Sequence, residues 1–175
     1  MKIISEKIKK VLTSLSAENN EIILVGISRG AEAVSMIVSH PELTQFKISR
    51  AVVIAGISVI ADSRKSIPRN TLNNRLANPT SRDLNDYVST KPSWRISGID
   101  IPSRKEINIY NFTKPLMIIH GANDSLWTVE NAYRLQRNYE KNGLKAIVEI
   151  IPNAGHTFPK AGSEYFESMI NFLSL

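Results

Sequence analysis

Apolar residues in this chain occur in two spacings, contiguous runs and helical stripes, and their alternation predicts a βα order. From Ser5 to Ala17, Ile8, Val11, Leu12 and Leu15 fall on one side of a helix. Ser5 is placed to cap it, with Glu6 in the first turn and Glu18-Asn19-Asn20 ending it. Ile22–Val25 is a contiguous run, as expected of a parallel strand covered on both faces. After Gly30, Ala31, Ala33, Val34, Met36, Ile37 and Val38 make a helix that is apolar around most of its circumference and therefore buried; Pro41 limits it. Ala51–Ile57 predicts a second buried strand. "KPLMIIHG" predicts a third, starting just past a proline that needs no ladder bond, and "AIVEIIP" a fourth. Between these last two, Thr128 is placed to cap a helix bearing Val129, Ala132, Leu135 and Tyr139 that closes at Gly143. Ser163 opens a last helix with Tyr165, Phe166, Met169, Ile170 and Leu173.

The interval 58–113 breaks this order. It holds Pro68, Pro79, Pro92 and Pro102 among many Asn and Ser residues, without sustained periodicity. It is too long for a plain loop in a compact domain and is expected to be an insertion with short helices. The whole is expected to be one α/β domain over 1–175, with a parallel sheet of about four strands flanked by helices. Right-handed crossovers in such a sheet bring the carboxyl ends of the strands to one edge, where ligands bind.

Three residues with matching chemistry stand just past those strand ends. Ser28 lies in Gly26-Ile27-Ser28-Arg29-Gly30, a turn leading straight from strand to helix. Gly26 and Gly30 lack side chains that would collide with neighbouring backbone, and the helix start aims N–H groups at the serine. Asp124 follows the third strand, where a carboxylate is positioned to orient a histidine ring; a surface turn is the plain alternative for Asn123-Asp124. His156 follows the fourth strand in "PNAGHTFP", within reach of both, although a loop histidine alone is usually just exposed. The order Ser28, Asp124, His156, each after its own strand, favours nucleophilic catalysis over three coincidences. Of the other histidines, His40 sits at a helix end and His120 is expected to pack or hydrogen-bond locally. No zinc-ligand spacing and no G-K-[ST] phosphate-loop ending occur, so neither metal nor organic cofactor is expected.

Composition changes this picture in a few places. Apolar runs are strand-sized, so no membrane span is expected, and the N-terminus lacks a secretory pattern. With no cysteines, disulfides and a thiol nucleophile are excluded. A cytoplasmic protein is the expectation. The net charge of +6 comes largely from the insertion, where Arg64, Lys65, Arg69, Arg75, Arg82 and others outnumber the acids. These cations are scattered and not interleaved with aromatics, so a solvated basic surface is expected and a nucleic-acid partner is not.

"LVGISRGAEA", "PLMIIHGANDSLW" and "IPNAGHTF" together resemble the α/β-hydrolase superfamily, from about Ile22 to the C-terminus. The last two segments look most like the dienelactone hydrolase, prolyl oligopeptidase and acyl-CoA thioesterase groups; where many of those carry Pro after the position of Trp127, this chain has Thr128. The resemblance implies Ser28 as nucleophile, His156 as general base and acid, Asp124 as its orienting partner and the Arg29 N–H as one oxyanion donor. It also implies that the insertion is a cap controlling access, with Arg29 and Trp127 as pocket candidates, Trp127 suiting a core position equally well. The substrate it implies is a small-molecule ester, thioester or amide opened through an acyl-enzyme; a serine peptidase of prolyl oligopeptidase type is an alternative. Family members carry several strands before the serine turn, and a loop among them supplies the second oxyanion donor. This chain has one helix ahead of Glu21, no HGGG-type segment and no candidate for that donor. One such donor is worth on the order of 3–4 kcal/mol of transition-state stabilisation. The serine strand is left with an apolar edge open to self-association or a partner chain. A fragment of a longer enzyme, or a catalytically weak domain that binds a partner, is therefore a second expectation.

Overall fold

A computed structural model describes residues 2–18, 21–40, 45–58, 94–96, 99–101, 106–124, 126–156, 158 and 164–174. Strands β1 (Ile22–Ile27), β2 (Ile48–Ile54), β5 (Leu116–Gly121) and β6 (Ile147–Ile151) form a four-stranded sheet in the order β1-β2-β5-β6. Every neighbouring pair is parallel. Helices α1 (Lys2–Ala17), α2 (Arg29–Ser39), α3 (Glu130–Tyr139) and α4 (Glu164–Ser174) flank it. A short antiparallel pair, β3 (Trp94–Ile96) and β4 (Ile99–Ile101), lies within the insertion. This is the α/β class that the spacing predicts.

The sheet separates two apolar cores. On one side Leu12 of α1, Val34 and Val38 of α2, and Leu135 and Tyr139 of α3 pack with Ile22, Val53 and Ile118. On the other, Tyr165 and Phe172 of α4 pack with Val52, Ile54, Met117, Ile119 and Ile151. Because α4 lies over the later strands, this second layer stops short of β1. Ile23, Val25 and Ile27 are consequently exposed, the last two at 46% and 53%. The expectation that β1 is covered on both faces is therefore wrong: among the described residues it is a sheet edge with one bare apolar face.

Several boundaries also shift, for identifiable reasons. Helix α1 starts at Lys2, so Ser5 lies within it and is not its cap. Strand β2 begins at Ile48, which pairs with Ile22, and ends at Ile54 because Ala55 adopts φ 48. Helix α3 starts without a side-chain cap bond. The Thr128 carbonyl, not its hydroxyl, is what is used there, accepting from the Asn131 N–H at 3.0 Å and side-chain amide at 3.1 Å. A 3-10 turn over Glu140–Asn142 then leads to Gly143, whose φ of 84 suits glycine. The Ser163 position lies outside the described residues.

The ends of the insertion meet: the Ile107 N–H donates to the Ser58 carbonyl at 3.0 Å. The returning segment packs into the first core, where Ile107, Ile109 and Phe112 are buried. Side chains of α3 and the turn after it hold it there. Asn138 Oδ1 accepts from the Ile109 N–H at 2.7 Å, and Asn142 Nδ2 donates to the Phe112 carbonyl at 2.9 Å. Most of the basic residues of the insertion lie outside the described residues.

Stability should follow this burial map. Ile118→Ala removes a wholly buried side chain from the centre of the sheet and is expected to cost about 2–5 kcal/mol. Val25→Ala on the bare face should change stability by less than about 0.5 kcal/mol. Urea-unfolding midpoints of the two variants check this.

Candidate active site

Strand β1 passes into α2 through a single residue, Ser28. Its backbone takes φ 55, ψ −118, a conformation that costs a non-glycine residue about 1–3 kcal/mol. Two hydrogen bonds hold it: the Ser28 N–H donates to the Ile54 carbonyl at 2.9 Å, and the Ser28 carbonyl accepts from the Glu32 N–H at 3.1 Å. The turn is tight enough to require glycine at position 26, where a Cβ would stand 2.2 Å from the Gly30 carbonyl oxygen. The expectation of the same requirement at Gly30 is not met, since a Cβ there would meet nothing within 4 Å among the described residues. The crowding is one-sided because the backbone of residue 30 is the obstacle. Arg29 opens α2, and its guanidinium lies 2.5 Å from the buried carboxylate of Glu32.

The acid and histidine loops are built against each other. At Gly121, the last residue of β5, a Cβ would stand 2.4 Å from the Ala154 carbonyl oxygen, so only glycine allows this approach. The Ala122 N–H donates to the Ile151 carbonyl at 3.0 Å and the Asn123 N–H to the Ala154 carbonyl at 2.9 Å. The two loops are thus tied to each other through their backbones.

This framework brings together Ser28, Asp124 and His156, which are widely separated in sequence. His156 Nε2 lies 2.8 Å from Ser28 Oγ, and its Nδ1 lies 2.8 Å from Asp124 Oδ2. A carboxylate only accepts, so Nδ1 carries the hydrogen and Nε2 is left to accept from the serine hydroxyl. Trp127 is buried, with its ring meeting that of His156 edge to face, centroids 5.2 Å apart.

Asp124 is buried, and its charge is matched by several donors. Its Oδ1 accepts from the Leu126 and Trp127 N–H groups, each at 2.9 Å. Its Oδ2 faces His156 and, at 3.3 Å, Nε2 of His120. Burial pushes the carboxyl pKa up, but hydrogen bonds from His120, His156 and the Trp127 amide outweigh it and hold the group well below the ordinary carboxylate range. His120, expected to pack or hydrogen-bond locally, lies with its Nε2 2.7 Å from the Trp127 carbonyl. Its approach to Asp124 went unread. The four-residue spacing of the two was the available signal, but it carries meaning only on a helix, and this is a strand running into a loop.

The family described as "BAAT / Acyl-CoA thioester hydrolase C terminal" matches residues 5–160. The chain belongs to this family. It is thereby a hydrolase-family domain, and the solved structures that resemble this BAAT / acyl-CoA thioester hydrolase domain agree in fold. An acylaminoacyl peptidase of Pyrococcus horikoshii superposes with TM-score 0.58 at 13% identity, over 87% of this chain and 23% of the peptidase. The esterase domain of a Rhodothermus marinus protein gives 0.56 at 15% identity, over 94% of this chain and 64% of that domain. Arabidopsis thaliana SOBER1 gives 0.54 at 13% identity, over 95% and 61%. The chain therefore spans less than two thirds of each of these structures. A search of curated proteins gave no match. Among the described residues no helix is long and apolar enough to cross a membrane, and no cluster of three or more His, Cys, Asp or Glu side chains is arranged to hold a metal ion.

The depressed Asp124 pKa has a definite consequence for stability. An unfolded aspartate titrates near about 3.9, above the folded group. Asp124 therefore contributes its full stabilisation above that range and loses it as pH falls through and below about 4. Unfolding midpoints measured between about pH 3 and 6 should drop more steeply for wild type than for Asp124→Asn, which carries no titrating group there.

Proposed function

We propose that this domain is a serine hydrolase that opens an ester, thioester or small amide through an acyl-enzyme. The observation that carries the reading is the unbroken chain from Ser28 Oγ to His156 to Asp124, with both contacts at 2.8 Å. Ser28 Oγ attacks the acyl carbonyl while His156 Nε2 takes its proton, and Asp124 stabilises the resulting imidazolium. The imidazolium returns that proton to the departing oxygen, sulfur or nitrogen as its bond to the acyl carbon breaks. Water, deprotonated by His156, then attacks the acyl-serine, and Ser28 leaves as the free hydroxyl. The Arg29 N–H, at the first position of α2, is the donor proposed for the oxyanion.

Within this substrate range the family description favours a thioester. The likeness to peptidases is one of fold and does not select an amide. The insertion, whose two ends meet where the Ile107 N–H donates to the Ser58 carbonyl, is the proposed cap and would set the choice of acyl group. A fluorophosphonate probe is expected to label the wild-type protein and not Ser28→Ala. Asp124→Asn should lower turnover of a p-nitrophenyl ester by about 10³–10⁴-fold through loss of the productive imidazole tautomer. Labelling that persists in Ser28→Ala would remove the assignment.

A second reading is favoured by the bare face of β1, where Ile23, Val25 and Ile27 are exposed beside a sheet edge that is unpaired among the described residues. In it, the domain binds a partner chain or a second copy there and is catalytically weak by itself. Size-exclusion chromatography combined with the ester assay separates the two readings. Association without turnover supports partner binding, whereas a monomer with Ser28-dependent turnover eliminates it.

A further inference from the structure

His120 is a buried imidazole that the proposed mechanism does not use. It lies one residue before the end of β5, paired in register with Ile150, and has no exposed surface. A carbonyl oxygen only accepts, so the 2.7 Å contact with the Trp127 carbonyl places a hydrogen on Nε2. That same nitrogen is 3.3 Å from Asp124 Oδ2, the oxygen that takes the hydrogen bond from His156. The other ring nitrogen, Nδ1, is buried with no hydrogen-bond partner among the described residues. Leaving a buried acceptor unsatisfied is unfavourable, and an apolar residue of similar size would avoid it. An imidazole at this position therefore needs a reason beyond filling space.

The reason lies in a closed circuit of contacts. His120 holds the Trp127 carbonyl, the Trp127 N–H holds Asp124 Oδ1, and the Trp127 ring braces His156. His156 returns to Asp124 Oδ2, where His120 is the second side chain present. The backbone donors fix one carboxylate oxygen, and the second is flanked by two imidazoles. We propose that His120 is a positioning residue of the site: sharing its Nε2 hydrogen between the Trp127 carbonyl and Asp124 Oδ2, it keeps that oxygen aimed at His156. The inference rests on the serine-hydrolase reading for its effect on rate, but the contact itself is testable without turnover.

The test compares His120→Gln, which keeps an amide N–H donor near the Nε2 position, with His120→Met, which has nearly the same shape and no donor. The Met variant is expected to lose about tenfold in kcat on a p-nitrophenyl ester with KM within about twofold, the rate equivalent of one hydrogen bond to a charged group. The Gln variant should recover most of that loss. Equal kcat in wild type and the Met variant, or equal losses in Gln and Met that track their melting temperatures, would overturn the proposal. A second arm needs neither activity nor a folded Met variant. The Nε2 hydrogen of His120, followed by NMR, should move upfield when Asp124→Asn replaces the carboxylate by a weaker acceptor; a resonance that does not move overturns the shared hydrogen. If wild type takes no fluorophosphonate and turns over no ester, the hydrolase reading fails while this arm still decides the contact.

Discussion

Parallel pairing is the constraint from which the site follows. Hydrogen-bonded side by side in one direction, β1, β2, β5 and β6 have no choice but to end at the same edge. Each chain segment must then turn sharply to reach its next element, and backbone strain collects there. Ser28 after β1, Ala55 after β2 and Asn153 after β6 all have positive φ. The packing on both sides of the sheet, with Ile54, Ile118 and Ile119 almost wholly buried, supplies the stability against which this strain is held.

Into that edge the fold places a carboxylate with almost no access to water. A charge in such a position survives only if donors replace its hydration, and Asp124 has two backbone amides on one oxygen and two imidazoles on the other. The same donors that keep it ionised also set its orientation. Electrostatics and geometry are therefore not separate features of the site: an aspartate free to rotate would be neither as strongly acidic nor as well aimed at His156.

Membership of the BAAT / acyl-CoA thioester hydrolase family and the bare edge of β1 bear on each other. The domain matches that family over most of its length, yet it spans less than two thirds of each solved structure compared with it. Among the described residues β1 is itself the sheet edge, so its exposed Ile23, Val25 and Ile27 lie directly beside the serine turn. The bare face and the strained Ser28 turn thereby belong to one continuous segment of the chain.

Much of this was legible in the sequence because it depends on local spacing. Mainly apolar runs such as "LMII" and "IVEII" reported strands, and glycine two residues before Ser28 reported a turn too tight for a side chain at position 26. Serine, aspartate and histidine in that order, each after its own strand, reported which residues a parallel sheet would gather. What the sequence did not carry is any property that depends on distant segments. Apolar residues look alike whether or not a helix covers them, so the bare face of β1 was invisible until α4 was seen to pack over the later strands. The boundary of β2 depended on its partner strand, and the place of Ile107, Ile109 and Phe112 in the core depended on Asn138 and Asn142 beyond the next strand. His120 joined the Asp124 network only because a loop folds back over the end of β5 and brings the Trp127 carbonyl to its ring. Local chemistry singled out the three side chains that meet; only the convergence of remote backbone decided what surrounds them and what is left uncovered.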